Sequence, residues 1–105
     1  MSYSLAYAGE FRKQVKKYRS LAKTIERKIL LLAENPYHNC KSEPLHQKLK
    51  GLRSARLTQN IRIIFAICEE AKLYAPTEVL NLCNELGGKA IIFVTVDVHE
   101  KAYKR

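Results

Sequence analysis

Two groups of residues in this 105-residue chain have the types and spacing to handle a phosphate and a proton. The first lies near the C-terminus, where Asp97, Val98, His99, Glu100, Lys101, Ala102 and Tyr103 follow directly on the apolar run from Ala90 to Val96. An unperturbed histidine titrates near ~6.5 and can exchange a proton near neutrality. Tyr103, four positions on, offers a phenol or a stacking ring, and on one helical turn it would share the face of His99. The second group is Arg56 and Arg62. Arg62 interrupts the apolar run Ile61 to Ile67, where a charge demands a reason. If Thr58, Gln59 and Asn60 make a three-residue hairpin connection, Leu57 opposes Ile61 and Arg56 opposes Arg62 on one sheet face. A two-residue connection flips the register and sets Leu57 against Arg62. Like charges directly opposed are destabilising unless an anion sits between them, and guanidinium groups suit bidentate recognition of phosphate oxygens.

The charge balance points the same way. With 19 Lys and Arg against 10 Asp and Glu, a net charge of +9 and a pI near 9.6, the chain carries a field that attracts polyanions, and nucleic acid is the leading partner. No window approaches the ~20 apolar residues needed to span a bilayer, and the N-terminus lacks the pattern of a secretory signal, so a cytoplasmic protein with no membrane partner is expected. Cys40, Cys68 and Cys83 are odd in number and none lies two residues from another. That spacing supports neither a disulfide framework nor a metal site, and three reduced, mostly buried thiols are expected, with no metal and no cofactor.

The elements that must position these groups can be read from periodicity. From Glu10 to Glu34 there is no Gly or Pro, and Phe11, Val15, Tyr18, Ala22, Ile25, Ile29 and Leu32 repeat at helical spacing. The stripe stays in phase throughout, so it does not distinguish one long helix from two joined near Ser20; Asn35-Pro36 ends it either way. Its other face, rich in Lys and Arg, reads as the solvated side. The polar stretch Tyr37 to Leu49 reads as a loop carrying His46 and Lys48, and Gly51 permits a tight or positive-φ turn. Ala55 to Leu57 and Ile61 to Ile67 read as a hairpin, 69–89 as an insertion with a short helix from Thr77 to Leu86, and Ala90 to Val96 as a central strand apolar on both faces. With a first strand from Tyr3 to Ala8, the order implies one α+β domain spanning residues 1–105. Its helices cover one face of a largely antiparallel sheet, and the opposite face is left for function.

At this point the chain resembles the RelE/ParE family of toxin–antitoxin toxins. The segment Leu49 to Ile67, LKGLRSARLTQNIRIIFAI, is similar to the family's core motif, with Lys50-Gly51, Ser54, Arg56 and Arg62 in register. The ending VDVHEKAY resembles the final strand and H-x-x-x-Y/F terminus of its RelE and YafQ branches. The resemblance implies a helical hairpin on a twisted sheet, a cognate antitoxin, and metal-independent, ribosome-dependent cleavage of mRNA in the ribosomal A site. A ParE-like topoisomerase poison and an inactive RNA- or ribosome-binding relative are the alternatives. Metal-free RNA cleavage needs a base for the 2′-hydroxyl, positive charge on the developing phosphorane and an acid for the leaving 5′-oxygen. His99, Tyr103, Arg62 and Arg56 are the candidate catalytic set. Lys50, Lys48, Arg53 and Lys101 are candidate RNA contacts, and His46, grouped with them, is a second candidate acid or base.

Overall fold

The computed structural model describes residues 3–71, 75–87 and 89–98. In chain order the elements are β1 (Ser4–Tyr7), α1 (Gly9–Lys17), α2 (Ala22–Glu34), β2 (Glu43–Pro44), β3 (Arg53–Arg56), β4 (Ile61–Ile67), α3 (Cys68–Ala71), α4 (Thr77–Leu86) and β5 (Ala90–Val98). They build one five-stranded sheet in the order β1-β5-β4-β3-β2, in which β1 runs parallel to β5 and every other neighbouring pair is antiparallel. The architecture is the α+β arrangement expected, with the helical hairpin on one sheet face.

The in-phase stripe of 10–34 is divided by a break that periodicity could not reveal. Tyr18 leaves the helical region (φ −101°, ψ 43°), a 3-10 turn follows at Arg19–Leu21, and α2 resumes at Ala22. A tertiary contact holds the break in place, because the Tyr18 hydroxyl donates to Asp97 Oδ1 at 3.1 Å and the Gln14 amide to Oδ2 at 3.2 Å. The hairpin then lays Phe11, Ile25 and Leu32 against Ile63, Phe65 and Phe93. Stacked or tilted rings of Tyr7, Phe11 and Phe93, with centroids 5.5 to 5.6 Å apart, fix the seam between β1, α1 and β5.

The opposite face is less open than the element order suggests. Ile64, Ala66 and Ile92 point there and are covered by Ala71 and Val79 from α3 and α4, with Leu52 beside them. The helix expected at Thr77 to Leu86 therefore packs on the second face. It explains why β4 and β5 are apolar on both sides; among the described residues, no helix covers this face at the end of the sheet built by β2, β3 and the start of β4. β5 carries one more residue than its partner between the pairs Ile64↔Thr95 and Phe65↔Phe93, a bulge at Val94.

The cysteines overturn one expectation. Cys68 and Cys83 form a disulfide with Cα atoms 5.4 Å apart, and only Cys40 is free. Spacing in the sequence could not reveal the pair, because it depends on α4 folding back onto the end of β4.

Three tyrosines give the fold an alkaline limit. Burial, and then hydrogen bonds to carboxylates, raise the phenols of Tyr3 and Tyr37 (both on Glu69 Oε1, at 2.9 and 3.0 Å) and of Tyr18 (on Asp97) above the ordinary value. A phenol whose folded pKa is raised favours the folded state fully below the unfolded value of ~10 and loses that contribution as pH rises through the folded value. Stability should be level from neutral pH to about 9 and fall above ~10. Denaturant midpoints measured across that range check this, and a midpoint unchanged at pH 11 would contradict it.

Candidate functional site

The hairpin β3–β4 adopts the register that sets Arg56 directly across from Arg62. Its turn is closed by the amides of Leu57 and Thr58, which donate to the Ile61 carbonyl at 2.9 and 3.2 Å. Strand alternation places Ser54, Arg56, Arg62 and Ile64 on the face away from the helical hairpin. Together with Lys41 and Glu43 from the preceding segment, Ser54 and the two arginines line a recess of about 100 Å³. Three cations thus converge on a small space with one carboxylate.

Among the described residues, Nη1 of Arg62 is buried without a hydrogen-bond partner. A buried guanidinium nitrogen left unpaired is costly, and like charges across a strand pair cost about 0.2–1 kcal/mol more. A hydrogen bond to a charged group returns about 1.5–3 kcal/mol, so one phosphate oxygen between the two arginines outweighs their repulsion. The arrangement is suited to an anion.

Lys41 is the residue that sequence reasoning missed. Cys40 (φ 58°) and Lys41 (φ 55°) are consecutive left-handed residues, a conformation that costs non-glycine residues about 1–3 kcal/mol each and that nothing in their types signals. Glu43 and Pro44 then pair with Ser54 and Arg53 as the short edge strand β2, which brings this loop beside the arginines.

The other expected residues divide. His46 is exposed and lines an adjoining recess of about 330 Å³ with Pro44, Leu45 and Leu49; Glu43 borders both recesses. Lys48 and Lys50 are exposed on and just after the 3-10 turn Gln47–Leu49, and line neither recess. Gly51 (φ 93°) makes the positive-φ turn back into β3.

Arg53 points to the hairpin side and is 6% exposed. Its Nη1 pairs with Glu70 at 2.9 Å, Nε donates to Ser42 Oγ at 2.8 Å, Nη2 donates to the Tyr37 carbonyl at 3.2 Å, and the guanidinium lies 5.3 Å from the centre of the Tyr37 ring. With its donors engaged inside the fold, Arg53 is corrected from an RNA contact to an internal strut. His99, Lys101 and Tyr103 lie outside the described residues. The described chain ends with Asp97 across from Arg62 and Val98 across from Ile61. Among the described residues no group of three or more His, Cys, Asp or Glu could hold a metal ion.

This fold is that of the RelE-like toxins. A YoeB/ParE toxin from Agrobacterium tumefaciens superimposes with a TM-score of 0.67 at 15% identity, over 91% of this chain and 98% of that one. YafQ from E. coli does so with a TM-score of 0.67 at 19% identity, over 96% and 98%. A chain of the RelBE2 toxin–antitoxin complex from Mycobacterium tuberculosis gives 0.62 at 21%, over 94% and 100%. No protein-family model matches the sequence. No curated protein matches it either. Among the described residues no helix is long and apolar enough to cross a membrane.

Proposed function

We propose that this chain is the toxin of a type II toxin–antitoxin pair, acting in the cytoplasm as a ribosome-dependent, metal-independent endoribonuclease on mRNA in the ribosomal A site. The observation that carries the reading is the opposed pair Arg56 and Arg62 lining a recess shared with Lys41, one guanidinium nitrogen of Arg62 being buried without a partner among the described residues, on a fold common to RelE-like toxins.

In the proposed reaction the 2′-hydroxyl oxygen attacks the adjacent phosphorus, its proton passing to a base. The arginines bear the charge of the phosphorane, and the leaving 5′-oxygen takes a proton from an acid. The products are a 2′,3′-cyclic phosphate and a 5′-hydroxyl end. His99 and Tyr103 are proposed for the proton transfers, Arg56 and Arg62 for charge stabilisation. Lys41, Lys48, Lys50, Lys101 and His46 are proposed to hold the RNA. A recess this shallow positions substrate poorly by itself, which is the physical reason for assigning orientation to the ribosome.

Induced expression should arrest translation and yield mRNA fragments with 5′-hydroxyl ends, read by primer extension on a reporter transcript, while purified protein alone cuts RNA slowly. Arrest with intact mRNA and broken DNA would transfer the chain to the topoisomerase-poison class. The cognate antitoxin is proposed to present an acidic or amphipathic segment to the basic recess. A complex in which Arg56 and Arg62 stay exposed and cleavage continues would refute that placement.

A further inference from the structure

We infer that Cys68–Cys83 is a redox-responsive clasp that decides whether α4 is fixed on the second sheet face. The disulfide ties the residue that directly follows β4 to the second turn of α4, across a separation of 15 residues. Besides the disulfide, α4 packs Leu80 and Leu82, partly buried, against the cluster of Ile64, Ala66 and Ile92. Val79 is its buried side chain, the Glu78 carboxylate accepts a 3.3 Å hydrogen bond from the Gly9 amide at the start of α1, and a cavity of about 250 Å³ lies between α4 and Leu52, Ile64 and Val94. Ten residues are too few for a helix to persist alone in water, so α4 depends on what holds it down.

Both cysteines are half-buried, which leaves the bond within reach of a thiolate. The chemistry is thiol–disulfide exchange with a thiol reductant of the glutathione or thioredoxin class. One reductant thiolate attacks a sulfur of the pair and displaces the other as thiolate. A second reductant thiol resolves the mixed disulfide, Cys68 and Cys83 end protonated, and the reductant leaves as its own disulfide. Cys40 stays out of the exchange: it is a half-buried thiol on the far side of β3 from α4, directed at the Lys28 carbonyl, and burial raises its pKa so that it remains protonated. In a reducing compartment such a disulfide is more often regulatory than structural.

The full chain, oxidised in air and then reduced with dithiothreitol or glutathione, provides the test through thiol titration and hydrogen–deuterium exchange resolved by segment. One free thiol, titrated in denaturant, should become three on reduction. Amides of 77–86 should exchange faster by on the order of a hundredfold, the opening expected when a 15-residue closure is released. Amides of 61–67 should keep their protection. A variant carrying both Cys68→Ser and Cys83→Ser should show the fast exchange without reductant. Three free thiols in the air-oxidised chain, α4 protection unchanged by reduction, or loss of protection throughout the sheet would each overturn the inference. Neither readout involves RNA. A non-toxic chain that releases α4 on reduction refutes the proposed function and upholds the clasp, and a toxic chain whose α4 ignores reduction does the reverse.

Discussion

Arg62→Ala should lower ribosome-dependent mRNA cleavage by ~10²–10³-fold, the usual loss when one donor to a developing oxyanion is removed. The replaced group is the half-buried member of the opposed pair, and its Nη1 has no partner inside the described fold. Its removal relieves a like-charge contact with Arg56 but also takes a cation from across the buried Asp97, so the two effects oppose and the thermal midpoint should change little. That combination separates a functional residue from a structural one: cleavage collapses while the thermal midpoint holds. Arg62→Lys keeps a charge but loses the planar fork, and should recover only part of the rate. His99→Ala is expected to cost ~10²–10⁴-fold by removing proton transfer. The measurement is quantitative primer extension in a reconstituted translation mixture, with expression toxicity scored beside it. If Arg62→Ala and His99→Ala both cleave at the parental rate with matched protein levels, the active-site assignment is falsified.

Arg53→Ala should have the opposite signature. Its guanidinium holds Glu70, Ser42 and the Tyr37 carbonyl together, joining β3 to α3 and to the loop after α2. Hydrogen bonds to a charged group contribute about 1.5–3 kcal/mol, and the buried acceptors would lose their donor. The Glu70 side chain is 32% exposed, so water takes over part of its solvation and the ion pair contributes less than a fully buried one. A net loss of about 2–3 kcal/mol is expected. For a domain of this size that is a fall in thermal midpoint of roughly 10–20 °C. Cleavage per folded molecule should be unchanged, because the side chain lies on the far sheet face from the recess. Calorimetry together with activity at a temperature where both proteins are folded makes the check. A variant of parental stability with weakened RNA binding would return Arg53 to the recognition surface.

Arg53, Arg56 and Arg62 show how much of the site the sequence could carry. All three are arginines in or near β-branched and apolar runs. Strand alternation put Arg56 and Arg62 on one face once the hairpin connection was taken as Thr58, Gln59 and Asn60, and the register is the one adopted. Parity along β3 also separates Arg53 from Arg56, but parity does not say which face is filled. That was decided by Tyr37 and Ser42 from the loop after α2 and by Glu70 from α3. Lys41 reached the recess through two left-handed residues whose types carry no turn signal.

The sequence by itself determined the main helices and strands and their order, though not the short β2 and α3. Helical periodicity from Phe11 to Leu32, the apolar runs of β4 and β5, the turn at Gly51 and the helix from Thr77 to Leu86 are local signals, set by side-chain spacing and backbone freedom. The charge excess rests on composition and was legible directly, whereas the sequence left the hairpin open between a register pairing Arg56 with Arg62 and one setting Leu57 against Arg62, and the fold adopts the first. Only the tertiary structure decided the break at Tyr18, where a hydroxyl reaches Asp97 almost eighty residues away. It alone decided the covering of the second face by α4, the pairing of Cys68 with Cys83, and the engagement of Arg53 inside the fold. Each depends on partners distant in the chain, and a one-dimensional pattern does not record which of two equally spaced faces will meet them.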